Sequence, residues 1–166
     1  MTTPAKSTGR LQVTTPTDRE IVMTRVFDAP RRLVFDALTK PELVRRWLLG
    51  PDGWSMPVCE IDLRVGGSLR YVWRHANGRE MGMRGVFREI AQPDRFVHTE
   101  VFDDPWYPGE GVDTVVLVEE RGKTTLTSTV RYESKEIRDA VLKSGMEPGV
   151  ARSYDRLEEV LASSSD

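Results

Sequence analysis

Apolar side chains near the C-terminus fall at Met146, Val150, Tyr154, Leu157 and Leu161. That spacing of four, four, three and four draws one stripe along a helix with a period near 3.6 residues. Arg152, Arg156, Glu158 and Glu159 lie opposite and are expected to form a solvated face. The middle of the chain keeps a different period. Leu69, Tyr71 and Trp73 alternate with Arg70, Val72 and Arg74, and Phe96, His98, Glu100 and Phe102 alternate with Val97, Thr99 and Val101. Both patterns predict strands. Further strands are expected near residues 20–27, 56–61, 81–90, 113–120 and 123–132, the last rich in β-forming threonine.

Two short helices interrupt this series after the first strand. Asp28-Ala29-Pro30 opens one, with Leu33, Val34, Ala37 and Leu38 as its buried face, and Thr39-Lys40-Pro41 opens the next, carrying Leu43, Val44 and Trp47. Proline suits a first helical turn because the amide hydrogen it lacks has no partner there anyway. A weaker helix is expected over 134–142. Strands grouped together and helices segregated from them predict an α+β fold: a curved antiparallel sheet of about six to seven strands gripping the long C-terminal helix. The same reading places residues 1–17 in a disordered tail, 18–162 in a single domain and 163–166 in a frayed end.

The turn at His75-Ala76-Asn77-Gly78-Arg79 admits two registers. A two-residue Asn77-Gly78 turn turns Arg84 inward, whereas a three-residue loop with left-handed Gly78 pairs Trp73 with Met81 and Tyr71 with Met83. The second puts Leu69, Tyr71, Trp73, Met81, Met83, Gly85 and Phe87 on one face. It is preferred, because one slip would expose the whole set.

Charge and chemistry narrow the function. Lys and Arg total 24 against 26 Asp and Glu, a net charge of −2 without a basic run, which argues against nucleic acid. The single cysteine, Cys59, excludes an internal disulfide framework and suits a reducing cytoplasm. No apolar run is long enough to span a membrane. No His-x-x-x-His or Cys-x-x-Cys spacing, dinucleotide fingerprint, phosphate loop or nucleophile elbow occurs, so no metal or cofactor is expected. The acids Asp103, Asp104, Glu110 and Asp113 lack EF-hand spacing and read as a rim. His98 and Glu100 share a strand face, where a carboxylate orienting an imidazole suits a general base; a surface pair or a cross-strand contact is the plainer alternative.

Several segments together resemble the Hsp90-ATPase-activator-homologue-like family of the START-like, helix-grip superfamily. They are Arg25-Val26-Phe27-Asp28-Ala29-Pro30, Val34-Phe35-Asp36-Ala37-Leu38-Thr39, Pro41-Glu42, Trp47, Gly66-Gly67, Pro93-Asp94-Arg95, Thr125-Leu126-Thr127 and Gly145-Met146 before the long helix. The sequence departs from the family's pattern at Lys40, where an aspartate is usual, and at Leu48 and Val150, where tryptophans are common. The resemblance implies a pocket between the long helix and the sheet. Its walls would be Tyr71, Trp73, Met81, Met83, Phe87, Met146, Val150 and Tyr154, with Trp47 or Trp54 near a mouth, and with His98, Glu100 and, in the other register, Arg84 as polar groups. Three functions are then in play. One is binding of a small apolar or aromatic ligand by a monomer or weak dimer. Another is a cyclase- or aromatase-like enzyme. The third is a protein-binding module acting in a stress response by analogy with the Hsp90 co-chaperone.

Overall fold

A computed structural model of the protein describes residues 10–164. Its described elements run β1 (Gln12–Thr14), β2 (Glu20–Phe27), α1 (Arg31–Thr39), α2 (Pro41–Trp47), β3 (Trp54–Ile61), β4 (Ser68–His75), β5 (Glu80–Ala91), β6 (Arg95–Phe102), β7 (Gly111–Glu120), β8 (Lys123–Arg131), α3 (Lys135–Lys143) and α4 (Met146–Ser163). The strands form one antiparallel sheet in the order β1-β2-β8-β7-β6-β5-β4-β3. Helices α1 and α2 carry the chain from β2 to the far edge, and β3 to β8 return as a meander that closes on β2. Among the described residues no helix is long and apolar enough to cross a membrane.

β1 corrects the expected tail. Val13 pairs with Met23 and Thr14 with Val22, so residues 12–14 add an eighth strand despite their polar composition. Backbone pairing to an open sheet edge needs little from the side chains. Residues 1–9 of that tail, and 165–166 of the expected frayed end, lie outside the described residues.

The three-residue register is the one adopted: Trp73 pairs with Met81, Tyr71 with Met83 and Leu69 with Gly85. Gly78 sits at φ 93°, a conformation that other residues rarely reach. In α1 the buried face is Val34, Phe35, Ala37 and Thr39, and Leu33 and Leu38 are only partly covered. Phe35 takes the central place by meeting Phe96 edge-on at 5.8 Å. No side chain caps the start of α2, where Lys40 stands.

Along α4 the apolar stripe divides in two. Tyr154, Leu157, Val160 and Leu161 are buried against the sheet and α1–α2, but Val150 and Met146, nearer the N-terminus, are only partly covered. Gly149 brings this half of the helix against the loop at residues 48–51, where a Cβ would stand 3.3 Å from Pro51 Cδ. The supposed solvated face is also partly structural. Arg156 donates to the Gly50 carbonyl at 2.7 Å and to Asp52 at 2.8 Å, with only 13 % of its side chain exposed.

A buried arginine fixes the other half of α4. Arg25 follows Ile21 and Met23 on the inner face of β2 and is 2 % exposed. Its guanidinium donates to Asp155 and Glu158 of α4, both at 2.9 Å, and lies over the Phe27 ring. A buried charge stripped of its partners costs far more than an apolar replacement of similar length. Arg25→Met should therefore change stability by less than about 1 kcal/mol, while Asp155→Ala/Glu158→Ala should cost about 3 kcal/mol. Urea unfolding with an unchanged slope measures both; equal losses would contradict the asymmetry.

Candidate functional site

The divided stripe leaves a cavity of about 630 Å³ between the N-terminal half of α4, the 48–51 loop and the concave face of the sheet. β4 supplies Tyr71 and Trp73, and β5 supplies Met81, Met83 and Phe87, as strand alternation and the adopted register require. Met146, Val150 and Tyr154 form the roof. Trp47 closes the inner side, buried, donating to the Ala37 carbonyl at 2.8 Å with its ring 6.0 Å from Tyr154. Trp73 donates to the Leu48 carbonyl at 2.7 Å, tying β4 to the loop. The exposed lining residues Met81, Trp106 and Arg79 mark an opening, with Trp54 beside them under the Arg79 guanidinium. Both positions with smaller side chains than the family's common tryptophan, Leu48 and Val150, line this space.

Arg84 is the exception among the expected site residues. The register turns it to the outer face, where it is mostly exposed and lies 3.3 Å from Asp103. It therefore leaves the candidate site. Asp103, also paired to Arg70 there, belongs to the sheet's outer surface and not to a pocket rim.

His98 and Glu100 face inward, so they are not a surface pair, but the expected cross-strand contact is present: His98 Nε2 lies 3.7 Å from the Asp113 carboxylate on β7. Asp113, read from the sequence as part of an acidic rim, stands with them because it opens the inward-facing series Asp113, Val115, Leu117 of β7 and pairs directly opposite His98. One ligand atom from each of His98, Glu100 and Asp113 lies within 4.8 Å of both others. The sequence offered a signal for Asp113, an acid in phase with apolar residues on a buried strand face. Tyr107, Tyr132 and Ser128 also line the cavity and were not singled out.

The surroundings of this trio are mostly apolar. The His98 ring stacks on Phe96 and meets Phe87 edge-on, each at 5.9 Å. Its Nδ1 lies 3.1 Å from the Thr99 carbonyl oxygen, which can only accept, so Nδ1 carries a hydrogen. Asp113 accepts from the Ser128 hydroxyl at 2.7 Å and lies 3.7 Å from His98 Nε2. Burial, helped by the charge of Asp113, pushes the Glu100 carboxyl up to about 7, His98 opposing. Burial also raises Asp113, against His98 and the Ser128 hydrogen bond. The phenols of Tyr71, Tyr107, Tyr132 and Tyr154 are raised by burial and stay neutral donors.

A concave sheet holding a C-terminal helix over such a cavity defines a helix-grip protein. The model of the family "Activator of Hsp90 ATPase homolog 1-like protein" matches residues 28–162, and the chain belongs to that family. A crystal structure of a Rhodobacter sphaeroides protein is similar at 32 % identity and TM-score 0.87, covering 92 % of this chain and 98 % of its own. A Nitrosomonas europaea protein shares the fold at 24 % identity and TM-score 0.80, with 90 % and 98 % covered. An AHSA1-like protein of Aeromonas hydrophila does so at 20 % identity and TM-score 0.69, with 84 % and 92 % covered. None of the curated proteins compared with the chain matches it.

Cys59 pairs with Tyr71 across β3–β4 and is buried, and burial pushes its thiol up to about 11. The thiolate is the reactive form, so two units above its ordinary 9.0 leave roughly a hundredfold less of it at pH 8. Iodoacetamide at pH 8 should leave the folded protein unmodified by intact mass and label it once on denaturation. Rapid labelling of the folded protein would contradict the packing around β3.

Proposed function

We propose that the protein binds a small apolar or aromatic molecule in the cavity beneath α4. The cavity itself carries the reading. A self-filled aromatic core leaves few voids larger than a water molecule, whereas about 630 Å³ falls within the range of small-molecule sites. Tyr71, Trp73, Met83, Phe87, Val150 and Tyr154 provide apolar wall, methionines adapt to a guest's shape, and neutral phenols donate to a guest's oxygen atoms. A monomer or weak dimer in the cytoplasm suffices for this role, and a reducing compartment suits the buried Cys59 thiol.

A second reading, an enzyme acting on the bound guest, is favoured by one observation: His98, Glu100 and Asp113 face the same space that the guest would fill. A protein-docking role has less support. Among the described residues the large exposed apolar side chains are Val65, Met81, Val86, Trp106 and Val118. Met81 and Val86 share β5 but point to opposite faces of the sheet, and the others lie on other segments, so they supply no single docking face.

The neutral fluorophore N-phenyl-1-naphthylamine tests the binding proposal. The native protein should enhance its emission saturably. Val150→Trp, which fills the roof, should weaken binding at least about tenfold while leaving the thermal midpoint within a few degrees. No enhancement with native protein, or unchanged binding by a folded Val150→Trp variant, would overturn it.

A further inference from the structure

An apolar guest accounts for the cavity's walls but not for its polar patch. Glu100 and Asp113 place two carboxylates there, and Arg79 at the opening is the only lysine or arginine among the described lining residues. Buried carboxylates need a partner of opposite charge, a proton or a metal.

The local contacts single out which atoms are available to such a partner. His98 is more than nine-tenths buried, and its Nδ1 hydrogen is committed to the Thr99 carbonyl. Nε2 therefore presents the free side of the ring. Its nearest charged neighbour, Asp113 Oδ2, lies at 3.7 Å, outside hydrogen-bond range. The other Asp113 oxygen is held by the Ser128 hydroxyl, which leaves Oδ2 facing the imidazole. The Glu100 carboxylate makes no hydrogen bond or ion pair with the other described residues, and its partner across β6–β7 is Gly111, over which Val130, the Tyr107 hydroxyl and Tyr132 close. An imidazole anchored through its other nitrogen to a carbonyl, beside a carboxylate anchored to a hydroxyl, is the outer support that metal ligands ordinarily have.

We infer that His98 Nε2, Asp113 Oδ2 and the Glu100 carboxylate form a binding site for one divalent transition-metal ion in the wall of the cavity. The donor set, one imidazole and two carboxylates without thiolate, suits zinc, manganese, iron(II) or cobalt. Bonds near 2.1 Å require donor separations of about 3–3.5 Å, so the trio must draw together from spacings of up to 4.8 Å. Rotation of the unpaired Glu100 side chain supplies most of that closure. All three ligands come from β6 and β7, which leaves the cavity side of the ion open to water or to an oxygen of a guest. No metal-binding spacing exists in the sequence, because two of the ligands come from one strand and the third from its neighbour.

Cobalt(II) provides a probe independent of any organic guest. Chelator-treated, dialysed full-length protein should take up one equivalent of Co²⁺ with new visible absorption, and Zn²⁺ should displace it. Glu100→Gln and Asp113→Asn, which preserve shape, should each weaken uptake at least about tenfold, and Ser128→Ala, acting through Asp113, by up to about tenfold. Thermal unfolding checks that each variant is folded. Val150→Trp should keep metal uptake while losing the fluorophore, so the two proposals fail separately. Absence of a Co²⁺ spectrum in native protein overturns the inference, as does uptake that survives both Glu100→Gln and Asp113→Asn, which would place the ion elsewhere.

Discussion

The seating of α4 on the concave sheet governs the rest of the molecule. Tyr154, Leu157 and Leu161 are buried, and the Arg25 guanidinium reaches two carboxylates of the same helix from the strand beneath. With the C-terminal half fixed at that depth, the position of the N-terminal half follows from the rigidity of a helix. Gly149 and Val150 lack the bulk to reach β4 and β5 from there, and the space remains. Apolar residues usually bury one another; here the height of the helix leaves Trp73 and Val150 only partly buried.

The same geometry explains why the polar patch sits where it does. β6 and β7 lie near the middle of the sheet, so the inward residues at one end of each meet the cavity beneath α4. His98, Glu100 and Asp113 occupy those positions. Further along the same two strands alternation carries Phe96 and Val115 to the border between cavity and core, and Leu117 into the packed core. Placing the acids at the cavity end confines the site's polar chemistry to one wall of the cavity.

Much of this architecture was legible in the sequence. The period of the C-terminal stripe predicted α4, and the cost of exposing Tyr71, Trp73, Met81 and Met83 together selected the right register around Gly78. Arg25 was harder, because a charged residue in phase with Ile21 and Met23 is read as a face only once its partners 130 and 133 residues away are known. β1 is held by backbone pairing, which leaves little trace in side-chain pattern. Asp113 is read as the start of a strand but grouped with the rim acids Asp103, Asp104 and Glu110, and only the strand phase of Val115 and Leu117 reveals its inward direction. The division of the α4 stripe into a packed half and an open half depends on the height of the helix above the sheet. That distance is a property of the assembled fold and leaves no local mark.

Native mass spectrometry of protein freshly purified from several expression hosts tests the central claim, that the cavity is a binding site, most directly. The account predicts a co-purified small organic molecule on the native protein and its loss from the folded Val150→Trp variant. Bare protein from every host, or an adduct that Val150→Trp retains, would contradict it.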